Sequence, residues 1–473
     1  MQQSPHSCAP RLAVVRRPPQ RAEVVQEGIK VSTMETYSSE SDAIEPYGSR
    51  FKSKPKIVVL GGGFGGLETA LNLRRSMPER AEIILVSDED HFLYKPNAIY
   101  IPFGLDPGRL RVGLAHMVKR RNIKFVHARA LEIDPISKYV GLDSYSYEYK
   151  LNYDYLVVAT GAKVLTNAVP GLEEFAHPIW TPDDMLRLRA RFQQLVAEAK
   201  EGRYQSALFV VPPQNEHVGP IYEMALMLDT WLRRKKVREQ VEVTLTTSEG
   251  SYVEAFGPKM HETVSREFQA RGIRGYNHYE VTGIESGESI YRNGVHLPFD
   301  LLVTFPPCSA STRFTSLPVD ERGFIATQLE SGQVVGFPDI YAVGDAADFP
   351  VKQAYIAAKQ GDAAADHLAA QILGKAPQVD FEPSSIFLME GLDRATYAQA
   401  PMRLTGRRED PSEVKSDHED EYRVGSSRMW RLGKLALGIY LPMRFKAGNP
   451  FHVGAPWKGI EAGVKLMSGL TTR

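Results

Sequence analysis

Residues 61–66 read G-G-G-F-G-G and lie between a short apolar segment and a segment with the apolar spacing of a helix. In such a turn one glycine permits a tight bend, a second lets the backbone approach a pyrophosphate, and a third lets the helix pack closely on the strand. The amino terminus of the helix offers unpaired N–H groups to phosphates. The spacing therefore predicts a dinucleotide site formed by Gly61, Gly63, Phe64, Gly65 and Gly66.

A second apolar segment, 83–86, is followed by Ser87, Asp88 and Glu89. An oxygen acceptor about 20 residues beyond such a glycine turn bonds the ribose hydroxyls of the dinucleotide. Asp88 is the candidate acceptor. Ser87 stays open as the alternative because of its place at the end of the predicted strand.

Two more motifs follow patterns of buried strands, and they are Ala159-Thr160-Gly161 and, far downstream, Gly344-Asp345. In flavoproteins with two dinucleotide-binding domains, the first motif marks the exit from the FAD domain, and the acid of the second bonds the ribityl chain. The glycine turn and these two motifs, in this order, predict FAD rather than a nicotinamide nucleotide alone.

The elements that must position these motifs alternate between strand and helix. Apolar segments at 57–60, 83–86, 155–159 and 340–343 predict strands, and helices are expected at 67–75 and 352–373. A second alternating series begins with a helix start at Thr181 and Pro182. Its strands are predicted at 207–211 and 241–246, and its helices at about 219–236 and 258–271. Asn293 and Gly294 predict a hairpin turn, and the apolar run 301–305 predicts a strand that leads back to the first domain. The fold class is therefore α/β, with two Rossmann-like dinucleotide-binding domains, the second inserted into the first.

The expected domain boundaries follow from these series and from composition. Residues 1–52 lack periodicity and are expected to form a disordered extension. The FAD-binding domain is placed at 53–165 and 300–375, and the second nucleotide-binding-like domain at 166–299. Residues 376–473 form a C-terminal region that ends in a basic, aromatic tail.

Composition narrows the class of protein. Lysine plus arginine and aspartate plus glutamate number 57 each, so no net field attracts nucleic acid. Two cysteines, Cys8 and Cys308, exclude a disulfide framework. No run reaches the roughly 18–20 apolar residues of a membrane span, and the amino terminus lacks the apolar core of a secretory signal. We expect a cytoplasmic protein that is peripheral on the membrane.

The tail from residue 428 combines charge with an apolar stripe. Eight basic residues stand against Glu461 alone, and Trp457, Ile460, Val464 and Met467 recur at helical spacing. This pattern is typical of an interfacial helix on a membrane surface. The alternative is a tail that packs on the body of the protein or on a second copy in a homo-oligomer.

Residues 86–104, the two short motifs, the segment 218–223 and residues 247–249 together resemble sulfide:quinone oxidoreductases. Flavocytochrome c sulfide dehydrogenases and type II NADH dehydrogenases share the general plan. The resemblance spans about residues 56–373 and implies a flavin that is reduced by one substrate and reoxidised by a quinone. It implies that Pro96 lies beside the isoalloxazine ring and that the backbone of Ala130 meets the adenine. Lys352 resembles the family lysine that stabilises negative charge on the reduced flavin or on a quinone oxygen. The alternative is that Lys352 is an ordinary lysine at the start of a helix.

The departures from the family concern the electron donor. His217 stands where the family has a cysteine, and no cysteine lies near Lys352. A persulfide relay needs two neighbouring thiols, so sulfide oxidation is not expected, and Cys308 is expected to be structural. The second-domain turn, residues 211–219, reads V-P-P-Q-N-E-H-V-G and lacks the glycines that admit NADH. The donor is left unidentified, with an NADH:quinone oxidoreductase, or a flavin-bearing subunit or redox sensor that works with a partner protein, as alternatives.

Overall fold

The computed structural model describes residues 54–215, 217–405, 412–415 and 421–472, so the expected extension over 1–52 lies outside the described residues. Short 3-10 helices span Lys95–Phe103, Pro107–Leu110, Arg238–Gln240, Glu254–Phe256 and Gly344–Ala346. The α-helices of the described residues are α1 (Phe64–Ser76), α2 (Leu114–Lys119), α3 (Leu172–Phe175), α4 (Pro182–Lys200), α5 (Gly219–Lys235), α6 (Gly257–Arg271), α7 (Ala354–Leu373), α8 (Arg428–Lys446) and α9 (Ala455–Thr471).

The first domain contains a six-stranded sheet whose central strands are all parallel. An antiparallel sheet of Arg129–Asp134, Tyr139–Asp143 and Glu148–Asn152 interrupts this domain, and His91–Leu93 pairs with Arg111–Gly113. Helices α1 and α7 pack together over one face of the main sheet. In spatial order the main sheet runs Gln333–Val334, Phe337–Ala342, Tyr155–Val158, Lys56–Leu60, Glu82–Ser87 and Lys124–His127.

The second domain contains a parallel five-stranded sheet. In spatial order it runs His177–Pro178, Leu301–Thr304, Gln205–Val211, Val241–Thr247 and Arg274–Tyr276. A hairpin sheet of Val281–Glu285, Glu288–Tyr291 and His296–Pro298 follows, with the predicted turn at Asn293 and Gly294. Helix α4 begins at Pro182 as predicted. Thr181, which precedes it, and Asp184 in the first turn form a reciprocal capping box.

The expected return to the first domain at residue 300 is one strand too early. Leu301–Thr304 pairs with Gln205–Val211 in the second sheet, where Leu302 lies opposite Leu208. The chain crosses back only after this strand, and Cys308–Ala310 pairs antiparallel with the outgoing segment Ala162–Val164. The apolar run predicted the strand, but the sheet it joins depends on pairing with residues about 90 positions away.

The C-terminal region is folded onto both domains. Its strands are Ser384–Glu390, Ala395–Leu404, Ser412–Val414 and Arg423–Ser427, and they are followed by α8 and α9. Phe445 and Phe451 join the core of the first domain, whereas Met389 and Leu392 join that of the second. None of the helices in the described part of the chain is long and apolar enough to cross a bilayer.

The predicted apolar stripe of the tail faces inward. Trp457, Ile460, Val464 and Met467 on α9 are half-buried and line an internal cavity. A different set of apolar side chains faces outward. Helical spacing in the sequence reveals an apolar stripe, but it does not show which side of the helix packs on the protein. These outward side chains are Met429, Leu432, Ile439, Met443, Leu466 and Leu470, which are 54%, 59%, 67%, 62%, 68% and 78% exposed.

Candidate active site

The glycine turn before α1 contains two glycines that the fold itself requires. Gly61 has φ of +106°, and a Cβ there would lie 2.1 Å from the carbonyl oxygen of Ala159. A Cβ on Gly66 would lie 2.0 Å from the carbonyl oxygen of Gly61. Gly63 differs, because its φ is −82° and a Cβ there would meet nothing within 4 Å. Gly63 therefore faces open space, and no side chain caps the helix amino terminus beside it.

This open space belongs to a cavity of about 1780 Å³ that extends from the glycine turn to the C-terminal helices. Two predicted site residues do not line it, since Gly66 packs behind the turn and Ala130 pairs with Leu142 in the antiparallel sheet. The structure brings the other predicted residues together around the cavity, namely Gly61, Gly63, Phe64, Gly65, Ser87, Asp88, Pro96, Ala159, Thr160, Gly161, Gly344, Asp345 and Lys352.

Ser87 and Asp88 lie at one end of the cavity. The buried hydroxyl of Ser87 accepts a hydrogen bond from the backbone N–H of Glu89 at 3.2 Å. The backbone carbonyl of Asp88 accepts one from the Tyr145 hydroxyl at 2.7 Å, while the Asp88 side chain is exposed at the rim. This geometry favours the Asp88 carboxylate over Ser87 as the acceptor for a ribose hydroxyl.

Asp345 lies deeper in the cavity and faces three basic side chains. Burial acts to raise its pKa, but the hydrogen bond and charge of His217, with the charges of Lys352 and Lys95, hold the pKa at about 2. The Nε2 atom of His217 is 3.7 Å from the Asp345 carboxylate. Burial lowers the pKa of Lys95, whose Nζ lies 4.0 Å above the Trp180 ring. The ionised Asp345 thus has two lysines and a histidine around it.

Lys352 is buried in the cavity wall and 3% exposed. Its Nζ donates to the carbonyl oxygen of Ala347 and lies 3.9 Å above the ring of Phe324. Both contacts fix the side chain, so its charge has a defined place beside Asp345.

The corresponding turn of the second domain is closed. Pro212 and Pro213 lack N–H groups, and Gln214 has φ of +58°. A Cβ on Gly219 would lie 2.8 Å from the Cζ of Phe387, whose ring covers the amino terminus of α5. A pyrophosphate that approached the start of α5 as in a Rossmann domain would therefore meet the ring of Phe387 from the protein's own C-terminal sheet.

Glu249, two residues after the second strand of this domain, already has hydrogen-bond partners within the protein. Glu249 accepts hydrogen bonds from the hydroxyls of Tyr222 and Thr247, both at 2.8 Å, and from the backbone N–H of Glu254 at 2.8 Å. Burial raises its pKa to about 7. Glu249 therefore serves the interior of the domain rather than a nucleotide ribose.

The far end of the cavity is an apolar lobe between the two C-terminal helices. In its wall Lys434 of α8 forms an ion pair with Glu223 of α5, and the cavity lining also includes Arg423, Glu461 and Lys465. Behind this pair, Glu390 accepts hydrogen bonds from Arg431 at 3.0 Å and from the Tyr100 hydroxyl at 2.5 Å. The apolar side chains of the lobe include Phe387, Leu437, Leu441, Trp457, Ile460, Val464 and Met467.

The sequence analysis counted Arg431 and Lys434 among the eight basic residues of an interfacial tail, and it gave no role to Lys95. The signal for the buried pair was Glu223 itself, an acid within the apolar sequence of α5. A charge count does not show which cations have internal partners, and this is why the two basic residues were misplaced.

The cavity fits FAD on structural grounds. Gly63 offers the open approach that a pyrophosphate needs, and the uncapped amino terminus of α1 points to the same space. A volume of about 1780 Å³ exceeds the roughly 300–1,000 Å³ of an ordinary ligand pocket, so a second ligand has room beside the cofactor. Fold and site thus define a flavin-dependent oxidoreductase with a closed second nucleotide domain.

Residues 55–211 and 222–361 match the family described as pyridine nucleotide-disulphide oxidoreductase. The chain belongs to this family, and the predictions of an enzyme and of FAD as its cofactor are confirmed. The predicted resemblance to sulfide:quinone oxidoreductases and type II NADH dehydrogenases is also confirmed.

Several relatives in the family act on quinones by name. The sulfide-quinone reductase of Aquifex aeolicus (strain VF5) is 34% identical over 242 residues, or 50% of this chain and 54% of that protein. The mitochondrial sulfide:quinone oxidoreductase of Mus musculus is 24% identical, over 66% of this chain and 70% of that one. The alternative NAD(P)H-ubiquinone oxidoreductase C1 of Arabidopsis thaliana is 25% identical, over 62% and 61%. The chain therefore spans about half the length of the Aquifex relative.

Solved structures agree on the fold. The structure of the Aquifex aeolicus sulfide:quinone oxidoreductase superposes with a TM-score of 0.76 at 24% identity, over 87% of this chain and 96% of that one. The NDH2 of Plasmodium falciparum gives a TM-score of 0.63 at 15% identity, over 84% and 97%.

Proposed function

We propose that this protein passes electrons from a small-molecule donor through FAD to a quinone. The observation that carries the proposal is one continuous cavity, with the glycine turn at one end and an apolar lobe between α8 and α9 at the other. A quinone ring with its isoprenoid chain is an apolar ligand, and such ligands bind in lobes lined by aliphatic and aromatic side chains. Relatives named as quinone reductases support the assignment.

FAD, when bound, supplies two-electron chemistry, and the residues of this chain would hold it. Gly61, Gly63, Phe64 and Gly65 with the start of α1 would cradle the pyrophosphate, and Asp88 would bond the ribose, with Ser87 shaping that end. Gly66 would keep α1 close to the first strand. Pro96 would lie beside the flavin ring, and the backbone of Ala130 would contact the adenine. Ala159, Thr160 and Gly161 would form the wall next to the flavin. Gly344 and Asp345 would contact the ribityl chain.

Lys352 is the proposed catalytic residue. Its fixed, buried ammonium group would stabilise negative charge that develops next to it during electron transfer. The pairing of Lys434 with Glu223 would place a second charged group at the mouth of the apolar lobe, close to a bound quinone oxygen.

We further propose that the protein is peripheral on a membrane and docks through α8 and α9. Burying one large apolar side chain contributes about 1.5–3 kcal/mol, and a basic residue near an anionic surface contributes roughly 1 kcal/mol. The same helices line the lobe, so docking would bring a membrane-dissolved quinone to it. The outward residues that support this include Leu432, Ile439, Met443, Leu466 and Leu470, with the exposed cations Arg428, Lys446, Lys458 and Lys465.

The identity of the donor distinguishes the alternatives. NADH is disfavoured by Phe387 over Gly219 and by the occupied Glu249. A sulfur relay is disfavoured because Cys308 is the one cysteine in the described residues, Cys8 lying outside them. A flavin-bearing subunit that receives electrons from a partner protein stays the second candidate, favoured by this absence of a recognisable donor site.

The test uses the chemically reduced holoprotein and a short-chain ubiquinone under anaerobic conditions. We expect rapid return of the oxidised flavin spectrum. Leu437→Trp, which fills the lobe, should slow this reaction, whereas Ile439→Trp, on the outer face of the same helix, should leave it unchanged. Slow reoxidation in the wild type and in both variants would refute the quinone assignment. Equally fast reoxidation in all three would show that the quinone does not bind in the lobe.

A further inference from the structure

His217 lies in the cavity wall where the turn of the second domain meets the loop of Asp345. Its backbone N–H donates to the side-chain oxygen of Asn215 at 2.7 Å. Its ring stacks on Phe305 with centroids 5.1 Å apart and an interplanar angle of 12°, and the Trp180 ring meets it edge-on at 5.5 Å. The position and the plane of the imidazole are therefore both fixed.

Each ring nitrogen of His217 has a different polar neighbour. The Nδ1 atom is 3.5 Å from the Sγ of buried Cys308, and Nε2 is 3.7 Å from the carboxylate of Asp345. Lys95 and Lys352 act on Asp345, and the guanidinium of Arg322 donates to the carbonyl oxygens of Gln214 at 3.3 Å and Cys308 at 3.5 Å. In the tautomer that carries its proton on Nδ1, that N–H faces the sulfur and Nε2 is the nitrogen that can accept a proton. The charged ring would then form an ion pair with Asp345.

We propose that His217 is a second catalytic residue of the site, one that takes the proton a donor loses on oxidation. Cys308 and Asp345 are its positioning residues, since the first fixes the tautomer and the second stabilises the charged ring. The donor is accordingly a small molecule of the type DH2, with N–H, O–H or S–H hydrogens. In the balanced step, DH2 becomes D, two electrons and one proton pass to the FAD, and the other proton passes to Nε2 of His217.

This inference rests on the proposed flavin chemistry but not on the quinone. Reduction of a bound flavin adds charge in the cavity, and His217 responds by binding a proton. The two-electron midpoint potential of the holoprotein must then depend on pH more steeply where His217 takes up that proton. One proton per two electrons corresponds to about 30 mV per pH unit.

The midpoint potential is measured between pH 5 and 9 with redox dyes and a chemical reductant, in the absence of donor and quinone. We expect the wild-type slope to exceed that of His217→Gln by about 30 mV per pH unit over part of this range. His296→Gln, which changes an exposed histidine of the hairpin sheet, should behave as the wild type. With a functional DH2 donor, His217→Gln should also slow flavin reduction by about 10²–10⁴-fold.

Equal slopes in the wild type and in His217→Gln would overturn the proposal. If His217→Gln does not retain FAD, His217→Asn takes its place, and loss of FAD from both variants would assign His217 a structural role instead. Because no quinone is present, a failed quinone test leaves this result unaffected, and the two proposals are decided separately.

Discussion

At the scale of single residues, three positions of one turn require glycine for different reasons. Gly61 and Gly66 are required because a Cβ would collide with backbone oxygens, and the protein needs this space whether or not a ligand is bound. Gly63 has an ordinary backbone conformation and open space around its Cα. The same motif therefore contains residues that serve the fold and a residue that serves the ligand.

Gly63→Val is expected to fold with unchanged stability but to lose FAD, because the new side chain fills the space of the pyrophosphate. Gly66→Ala is expected to lower the free energy of unfolding by about 1–3 kcal/mol, because its methyl group overpacks the turn. Denaturant titration and flavin absorbance after gel filtration measure the two effects. Retention of FAD by Gly63→Val would contradict the proposed place of the pyrophosphate.

At the scale of elements, the strands and helices that the sequence predicted lie within a few residues of those in the structure, but many short strands were not predicted. The start of α4 at Pro182 and the turn at Gly294 were recognisable because local hydrogen bonds decide them. The sheet joined by Leu301–Thr304 and the inward side of α9 were not, since both depend on residues distant in the sequence. The parts of the site that were predicted lie in contiguous motifs, whereas the pair of Glu223 and Lys434 is separated by 211 positions.

The outward faces of α8 and α9 are expected to bind membranes. Ile439→Asp combined with Leu470→Asp should reduce sedimentation with anionic liposomes at low salt, because both changes remove apolar area and add negative charge. Ile136→Asp is the matched control, since Ile136 is 90% exposed in the first domain, away from these helices. Equal loss of binding in the control would rule out a specific docking face.

A buried acid fastens the loop between α8 and α9 to the first domain. Both carboxylate oxygens of Glu68 on α1 accept the backbone N–H of Phe451 at 2.8 Å, and His452 lies 2.6 Å from Asp362 on α7. Burial, followed by the charge of Asp362, raises the pKa of Glu68 well above its usual value. The folded state therefore favours the protonated acid.

The raised pKa of Glu68 sets the sign of a pH dependence. Above the unfolded pKa of about 4.3, the native protein holds a proton that the unfolded chain has released, so stability falls as pH rises through the folded pKa. Glu68→Gln keeps a neutral side chain and should flatten this dependence. Denaturant titrations from about pH 4 upward measure it, and parallel curves for the two proteins would show that Glu68 is ionised in the native state.

At the scale of the whole molecule, the two Rossmann-like domains differ at the turn where a dinucleotide would bind. The first keeps an open turn at Gly63, and the second has its turn closed by Phe387 from the C-terminal sheet. The C-terminal region thus shapes both sites, since it lines the first cavity and covers the second.

Neither NADH nor sulfide is expected to reduce the flavin rapidly. NADH lacks an open turn to receive its pyrophosphate, and sulfide lacks the second thiol that a relay requires. Stopped-flow absorbance of the oxidised holoprotein tests both compounds, with a chemical reductant as the positive control. Rapid bleaching by NADH would restore the alternative of an NADH:quinone oxidoreductase, and rapid bleaching by sulfide that Cys308→Ser abolishes would make that thiol catalytic.

The C-terminal wall of the cavity also sets an order for maturation. Residues 384–472 leave the ribosome after both nucleotide-binding folds, so the cradle at Gly63 exists before the segment that encloses it. During that interval a large cofactor has an unobstructed route to its cradle from the side. Phe445 and Phe451 then enter the core of the first domain, and α8 and α9 complete the cavity wall. We therefore expect FAD to bind faster to a chain whose C-terminal segment has not yet folded than to the finished protein.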